Sequence, residues 1–292
     1  MTSPRFVVDR APRGLVVAHG PDATSFLQSL VSQDLDPLGD GDHAPALLLA
    51  PQGKLDVAFR ILRTGDAWWL DTDADYAPRL LASLTRFRIR VKVDLEDRTA
   101  TTGLVSTVGV SVPELPDGVH ALATDWAGDA GVDLLGPLDA VREVAATLDP
   151  TVERWSPERF ETFRIERGVP RLGVDIDDTT IPQEAFLERD AVSFTKGCFI
   201  GQELVCRIDT RGHVNRYLRR VRIPGVATPP PGATVVVDGK ERGTLTSVAA
   251  VPGEDRAVGL AMIRREVEPP AAVQLHWDTT DLDATIPDDA EA

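Results

Sequence analysis

Cysteine is almost absent from this sequence: Cys198 and Cys206 are the two among 292 residues. That excludes a disulfide-stapled framework, and their spacing is not the C-x-x-C of a zinc ribbon or a thioredoxin site. Chains of this length from oxidising compartments usually carry more, so a reducing, cytoplasmic setting is expected. Long apolar runs are also missing. No stretch approaches the roughly 20 residues of a membrane-spanning helix, and the opening, Met1 to Phe6, lacks the apolar centre of a signal peptide. Basic residues are outnumbered, 31 Lys and Arg against 46 Asp and Glu, for a net charge of −15. Such an acidic chain argues against bulk binding to nucleic acid or anionic lipid. No internal repeat is present.

Hydrophobic residues make up 42% and charged residues 26%, enough for a sizeable core divided among two or three compact units. Asp22 reads as the N-cap of a helix carrying Phe26, Leu27 and Leu30 at helical spacing. Strands are expected over 46–50, 55–62 and 68–70, with Pro51-Gln-Gly53 as a turn. A helix follows over 77–84, strands over 101–112 and 132–135, and a helix over 138–148. Ser156 and Pro157 open a further helix that runs to about Glu166. Past Thr228-Pro-Pro-Pro-Gly232, short alternating segments at 234–237, 243–251 and 257–262 predict a small antiparallel barrel or sandwich. The last fifteen residues hold six acids and no base, so 278–292 reads as a solvated tail.

Between residues 86 and 93, Arg86, Arg88, Arg90 and Lys92 alternate with Phe87, Ile89, Val91 and Val93. A strand would put the cations on one face, and a solvated edge strand is the preferred reading. Nucleic-acid binding through those cations is disfavoured by the acidity of the chain.

The sharpest local signal is Lys196-Gly-Cys-Phe-Ile-Gly-Gln-Glu203. Gly197 and Gly201 flank Cys198, and a helical pattern follows. A helix N-terminus and the Lys196 cation would both favour thiolate. A small structural cysteine in a tight loop is the equal alternative, and Cys206 reads as a core residue in mid-helix. Seven cations, from Lys196 to Arg222, share this region with Glu203 and Asp209. They predict a basic surface that meets carboxylates, phosphate or only counterions.

Several segments, in order, resemble the T-protein of glycine cleavage, the tetrahydrofolate-dependent aminomethyltransferase. They are the run from Gly20 to Gln28, Pro51-Gln-Gly-Lys-Leu-Asp56, Arg164 to Asp175, Thr180 to Leu187, and Arg211 to Leu218. The loop from Lys196 to Glu203 resembles the signature of the YgfZ-type folate-binding branch. The likeness covers about residues 14 to 265.

It implies an α+β, three-lobed T-protein-like fold with a C-terminal antiparallel β-barrel. Residues 1–96 and 155–214 would form folate-binding lobes interwoven with a middle α+β lobe, 97–154. Residues 215–277 would form the barrel and 278–292 the acidic tail. The resemblance further implies a tetrahydrofolate ligand and a role in assembly or repair of iron–sulfur clusters, with client enzymes or assembly proteins as partners.

Carried onto this chain, it makes Cys198, Lys196 and Asp56 the catalytic candidates. Asp56, Asp133, Arg164, Gly197, Gly201, Gln202, Glu203 and Arg207 are the ligand-binding candidates. T-protein usually has two adjacent aspartates where this chain has Asp56 and Val57, which weakens the alternative of aminomethyl transfer. Asp56 reads equally as a surface acid. Asp133 stands where the family has a glutamate, and Arg164 has a competing reading as an ion pair with Glu161 or Glu166. Glu184 reads as structural. A scaffold with the fold and no ligand is the third reading.

Overall fold

A computed structural model describes residues 4–288. Residues 1–3 of the expected signal-free opening and 289–292 of the expected tail lie outside the described residues. The chain divides into two compact units. One holds residues 1–125, 129–155 and 187–210; the other holds 126–128, 156–186 and 211–292. This differs from the expected lobes: 97–154 clusters with the N-terminal part, and 156–186 with the barrel.

In chain order the first unit contains β1 (Phe6–Asp9), β2 (Arg13–His19), α1 (Ala23–Gln28), β3 (His43–Leu49), β4 (Leu55–Thr64) and β5 (Ala67–Asp73). It continues with α2 (Ala77–Phe87), β6 (Asp94–Asp97), β7 (Thr102–Val108), β8 (His120–Trp126), β9 (Asp129–Pro137), α3 (Leu138–Thr147) and β10 (Glu153–Arg154). Two five-stranded sheets result, ordered β3-β4-β5-β2-β6 and β10-β1-β7-β9-β8. In β4, Leu55, Val57, Phe59 and Ile61 are buried on one face, which leaves Asp56, Ala58 and Arg60 together on the other. In β3, Ala46 to Leu49 form a continuous buried run.

The other unit begins with α4 (Pro157–Glu166), where Ser156 Oγ accepts from Arg159 N at 3.3 Å, as the N-cap reading requires. α5 (Glu188–Ala191) and α6 (Gln202–Arg211), up to residue 210, belong to the first unit, and the second resumes with β11 (Arg216–Pro224), β12 (Thr234–Val237), β13 (Lys240–Ala250), β14 (Arg256–Arg264), β15 (Ala271–Trp277) and β16 (Thr280–Ile286). These six close a barrel in the order β11-β14-β13-β12-β15-β16. Its interior is filled by Val221, Ile223, Val235, Leu245, Ile263 and Leu275, among others.

Three local expectations need correction. The stretch 86–93 is not a strand. α2 continues to Phe87 because Leu80 and Leu84 bury one of its faces, and Arg90 then turns through a left-handed backbone at φ 58°. Phe87 and Ile89 are consequently 41% and 72% exposed. Asp22 does not cap α1 with its side chain; its Oδ2 accepts from Lys92 N at 2.7 Å. The acidic stretch from 278 is not a tail throughout. Thr280–Ile286 is β16, with Ala284 and Ile286 buried and the acids facing out.

Candidate functional site

The cysteine loop is built by what holds it on either side. Upstream, Ser193 N donates to Ser32 O at 2.9 Å, and Ser32 Oγ donates to Ala191 O at 2.6 Å. Lys196 is buried, 9% exposed. Its ammonium donates to Gln33 O at 2.6 Å, to Gln28 O and Val31 O at 2.8 Å each, and to Gln28 Oε1 at 3.2 Å. These carbonyls belong to the last residue of α1 and the turn after it, where helix geometry leaves acceptors without intrahelical partners. Burial pushes the Lys196 ammonium down to about 8, with Asp34 and Asp36 opposing.

Downstream, Phe199 is buried, and its ring lies 5.7 Å from Lys196 Nζ. Gly201 takes φ +79°, and a Cβ there would lie 2.6 Å from Ala50 O and 2.8 Å from Leu49 Cβ. Gly53 answers across the same gap: at φ +74°, a Cβ there would lie 2.6 Å from Leu204 Cβ. Both glycines are therefore required, Gly201 for the loop and Gly53 for the turn before β4. Gly197 has open space where a Cβ would go.

Cys198 sits exposed between these anchors, four residues before α6 begins at Gln202. It lines a cleft of about 500 Å³ with Gly197, Thr24, Ser25, Ser29 and Asp36. Ser25 Oγ and Ser29 Oγ donate to carbonyls of their own helix, Asp22 O at 3.0 Å and Phe26 O at 2.8 Å. Thr24 Oγ1 accepts from Trp68 Nε1 at 3.0 Å. The walls thus offer lone pairs beside a thiol. Glu203 and Arg207 are exposed on α6, Gln202 is half-buried, and Cys206, expected as core, is half-buried.

The other carried-over residues lie elsewhere. Asp56 is held by Arg79 Nε at 2.7 Å and by Ser83 Oγ at 2.6 Å, one to each carboxylate oxygen. Asp133 is buried in the first unit, where Arg60 Nη1 donates to it at 2.6 Å and Ser106 Oγ donates to its other oxygen. Arg10 approaches it at 3.7 Å. Burial pushes the Arg10 guanidinium down to about 10 against the pull of Asp133. Arg60 also grips Asp71, which Arg13 holds from the other side. Burial alone would raise the Asp71 carboxyl, but Arg13 and Arg60 outweigh it and hold it below the usual carboxylate range.

Arg164 is buried in the second unit. It pairs with Glu161 and with Asp175 at 2.6 Å, and donates to Ser247 Oγ at 2.8 Å and Val169 O at 3.2 Å. The ion pair with Glu161 is the competing reading made from sequence. Glu184 accepts from Ile181 N and from Arg216, each at 3.0 Å.

Arg216 is one member of the expected basic surface. Another, Arg220, donates to Glu166 O at 3.1 Å, and Arg219 lies over the Tyr217 ring at 5.0 Å. Much of that cluster is thus engaged within the protein. Asp36 and the α1 hydroxyls, which wall the cleft, leave no local trace in the sequence around Cys198, because they lie far upstream in the chain. The only signal was that the run from Gly20 to Gln28 is itself a family-like segment.

A carboxylate or guanidinium that is to meet a tetrahydrofolate needs free hydrogen-bonding capacity. Asp133 and Arg164 do not fit that need as arranged, since protein partners surround both. Asp56 keeps spare lone pairs and a partly open side chain, 14% exposed. Among the described residues no group of three or more His, Cys, Asp or Glu gathers to hold a metal ion, and no helix is long and apolar enough to cross a membrane.

No family model matches the chain. Curated relatives do. Over 257 residues it is 28% identical to the "iron-sulfur cluster assembly factor IBA57 homolog, mitochondrial" of Mycosarcoma maydis, covering 81% of this chain and 62% of that one. Over 216 residues it is 26% identical to the "tRNA-modifying protein YgfZ" of Edwardsiella ictaluri, covering 68% and 65%. It therefore spans less than two thirds of the length of either relative. The crystal structure of glycine cleavage system aminomethyltransferase T from Bartonella henselae superposes with a TM-score of 0.84, over 99% of this chain and 87% of that one, at 18% identity. That likeness shows the T-protein-like fold, with its closed six-stranded barrel near the C-terminus. Sequence and fold point the same way, to a likeness with YgfZ-type and T-protein-type proteins.

Proposed function

We propose that this protein supports the assembly or repair of iron–sulfur clusters, in a reducing compartment, with Cys198 as its working group. The observation that carries the reading is an exposed thiol at the apex of a loop anchored on both sides, opening onto a cleft. Buried structural cysteines are enclosed by apolar packing; this one is not. The relative named as an iron–sulfur cluster assembly factor lends the direction. Because the described residues gather no multi-ligand metal site, Cys198 would work on a sulfur or cluster presented by a partner enzyme or assembly protein, as a thiol or as one ligand.

The family also brings tetrahydrofolate to this reading. Asp56 is the group with lone pairs left to meet such a ligand, whereas Asp133 and Arg164 would first have to leave their partners. Aminomethyl transfer is the weaker reading, because Val57 replaces the second aspartate and both Asp56 oxygens already serve Arg79 and Ser83.

Two experiments test the proposal. Replacing the gene by a Cys198→Ala version should lower the activities of [4Fe–4S] and [2Fe–2S] enzymes in cell extracts, while the purified variant keeps its melting temperature. Undiminished activities would remove Cys198 from the mechanism. Calorimetric titration with tetrahydrofolate decides the ligand: saturable heat that weakens in Asp56→Asn keeps the folate, and no heat leaves a folate-free scaffold carrying the thiol.

A further inference from the structure

We infer that Lys196 is a positioning residue, which staples the cysteine loop to the exit of α1 and thereby fixes where Cys198 stands, and that it is not the cation that activates the thiol. The inference rests on the reading of Cys198 as the working group. The natural expectation for a lysine two residues from a reactive cysteine is electrostatic activation. The geometry points elsewhere.

An ammonium has three protons. Lys196 Nζ stands within hydrogen-bond distance of four oxygens, Gln28 O, Val31 O, Gln33 O and Gln28 Oε1, at 2.6 to 3.2 Å. Its donor capacity is therefore filled by the α1 exit, with none left for a thiolate. The partner amide is locked as well. Gln28 Oε1 also accepts from Leu35 N at 2.9 Å, and Gln28 Nε2 donates to Asp34 Oδ1 at 2.7 Å. The cage is thus built by the protein and does not depend on the loop for its shape.

The consequence for Cys198 is one of reach. Downstream the chain is fixed at buried Phe199 and again at Gly201, pressed against Ala50 and Gly53. Upstream the nearest anchor is Lys196 itself. Three residue steps separate 196 from 199, a span of at most about 10 Å. Without the Lys196 side chain, residue 196 keeps only its backbone N–H bond to Ser193 Oγ at 3.3 Å; the next anchor beyond it is Ser193, bonded to Ser32 O, from which six steps allow about 20 Å. The open space around Gly197 offers nothing to stop that movement. A thiol that must meet a partner's sulfur or cluster benefits from the shorter tether.

The test uses the full chain with Cys206→Ser, so that one thiol reports. The pH profile of iodoacetamide alkylation is measured for the parent, Lys196→Met and Lys196→Arg. Positioning predicts the same pH midpoint in all three, within about 0.3 unit, with amide hydrogen exchange across 194–200 accelerated at least tenfold in both variants. It also predicts that iron–sulfur enzyme activities in cells fall toward the Cys198→Ala level in both, because a planar guanidinium cannot occupy a cage shaped for a point charge.

A midpoint raised by a unit or more in Lys196→Met and restored in Lys196→Arg would establish activation and overturn the inference. Full cellular activity in Lys196→Met would overturn it too. Should neither variant fold, the unsubstituted protein decides. A caged ammonium gives a ¹H–¹⁵N signal protected from water exchange at pH 6, and an unprotected one overturns the inference. Cys198→Ala run in parallel separates the failures: normal activity there removes the function, whereas loss there with normal Lys196→Met removes only the positioning role.

Discussion

Asp71 offers a prediction whose size follows from its surroundings. Its side chain is fully buried between Arg13 and Arg60, with one oxygen serving each guanidinium. Asp71→Asn keeps the shape, removes the charge and turns an amide towards two sets of donors. Breaking a buried ion pair from one side costs roughly 3–5 kcal/mol. Here Arg13 keeps Asp73 and Arg60 keeps Asp133, each at 2.6 Å, so the lower end, about 3 kcal/mol, is expected. That is a large part of the roughly 5–15 kcal/mol that holds a typical domain folded. Urea unfolding followed by circular dichroism measures it, with Asp73→Asn as the control. Asp73 is 38% exposed, and its loss should cost about 1 kcal/mol or less.

The pH dependence has a definite sign. The folded carboxyl titrates below its unfolded value of about 3.9, since Arg13 and Arg60 outweigh the effect of burial. Its contribution is therefore complete above about pH 4 and is lost as pH falls through the folded value. The gap between parent and Asp71→Asn should be flat from about pH 5 to 8 and close only in stronger acid. A loss no greater than that of Asp73→Asn, or a gap that narrows between pH 5 and 7, would refute the reasoning.

Two further outcomes follow from the cysteine loop. Gly201→Ala forces a left-handed alanine against Ala50 O and should cost at least about 2 kcal/mol, whereas Gly197→Ala, facing open space, should be nearly neutral; paired melting curves compare them. Lys196 titrates near 8 in the folded protein against 10.5 in the unfolded chain, so between those values the unfolded chain holds more protons. Stability from this group should rise with pH across that window, and the rise should vanish in Lys196→Met, as denaturation at pH 8 and 10 would show.

What could be read from the sequence was local. The barrel announced itself through short alternating segments past Thr228-Pro-Pro-Pro-Gly232, and Ser156-Pro157 marked the start of α4. The stretch 86–93 misled because a period of two ran over the end of an amphipathic helix, and the burial of Leu84 decided in favour of the helix. β16 was hidden by composition: Leu282, Ala284 and Ile286 alternate correctly, but Asp281 and Asp283 between them drew attention to charge.

The candidate site was legible as a segment and not as an arrangement. Lys196 finds its carbonyls 163 to 168 residues away, and Arg60 finds Asp133 73 residues away. No local pattern contains such pairings. A family resemblance transfers positions, and it was the partners already gathered around Asp133 and Arg164 that changed how those positions are read.

The place of β1 has a consequence for how the chain is made. Phe6–Asp9 pairs with β7 on one side and β10 on the other, so β1 is an interior strand whose two neighbours both come later in the chain. Phe6, Val7 and Val8 must wait while some 150 further residues are synthesised before both neighbours exist. Once β7 has been made one edge of β1 can pair, but the other stays open until β10 follows, and the long stretch of chain between them makes closure slow. Nascent-chain crosslinking should find chaperones on residues 6–8 throughout that interval and find them gone once residue 154 has emerged.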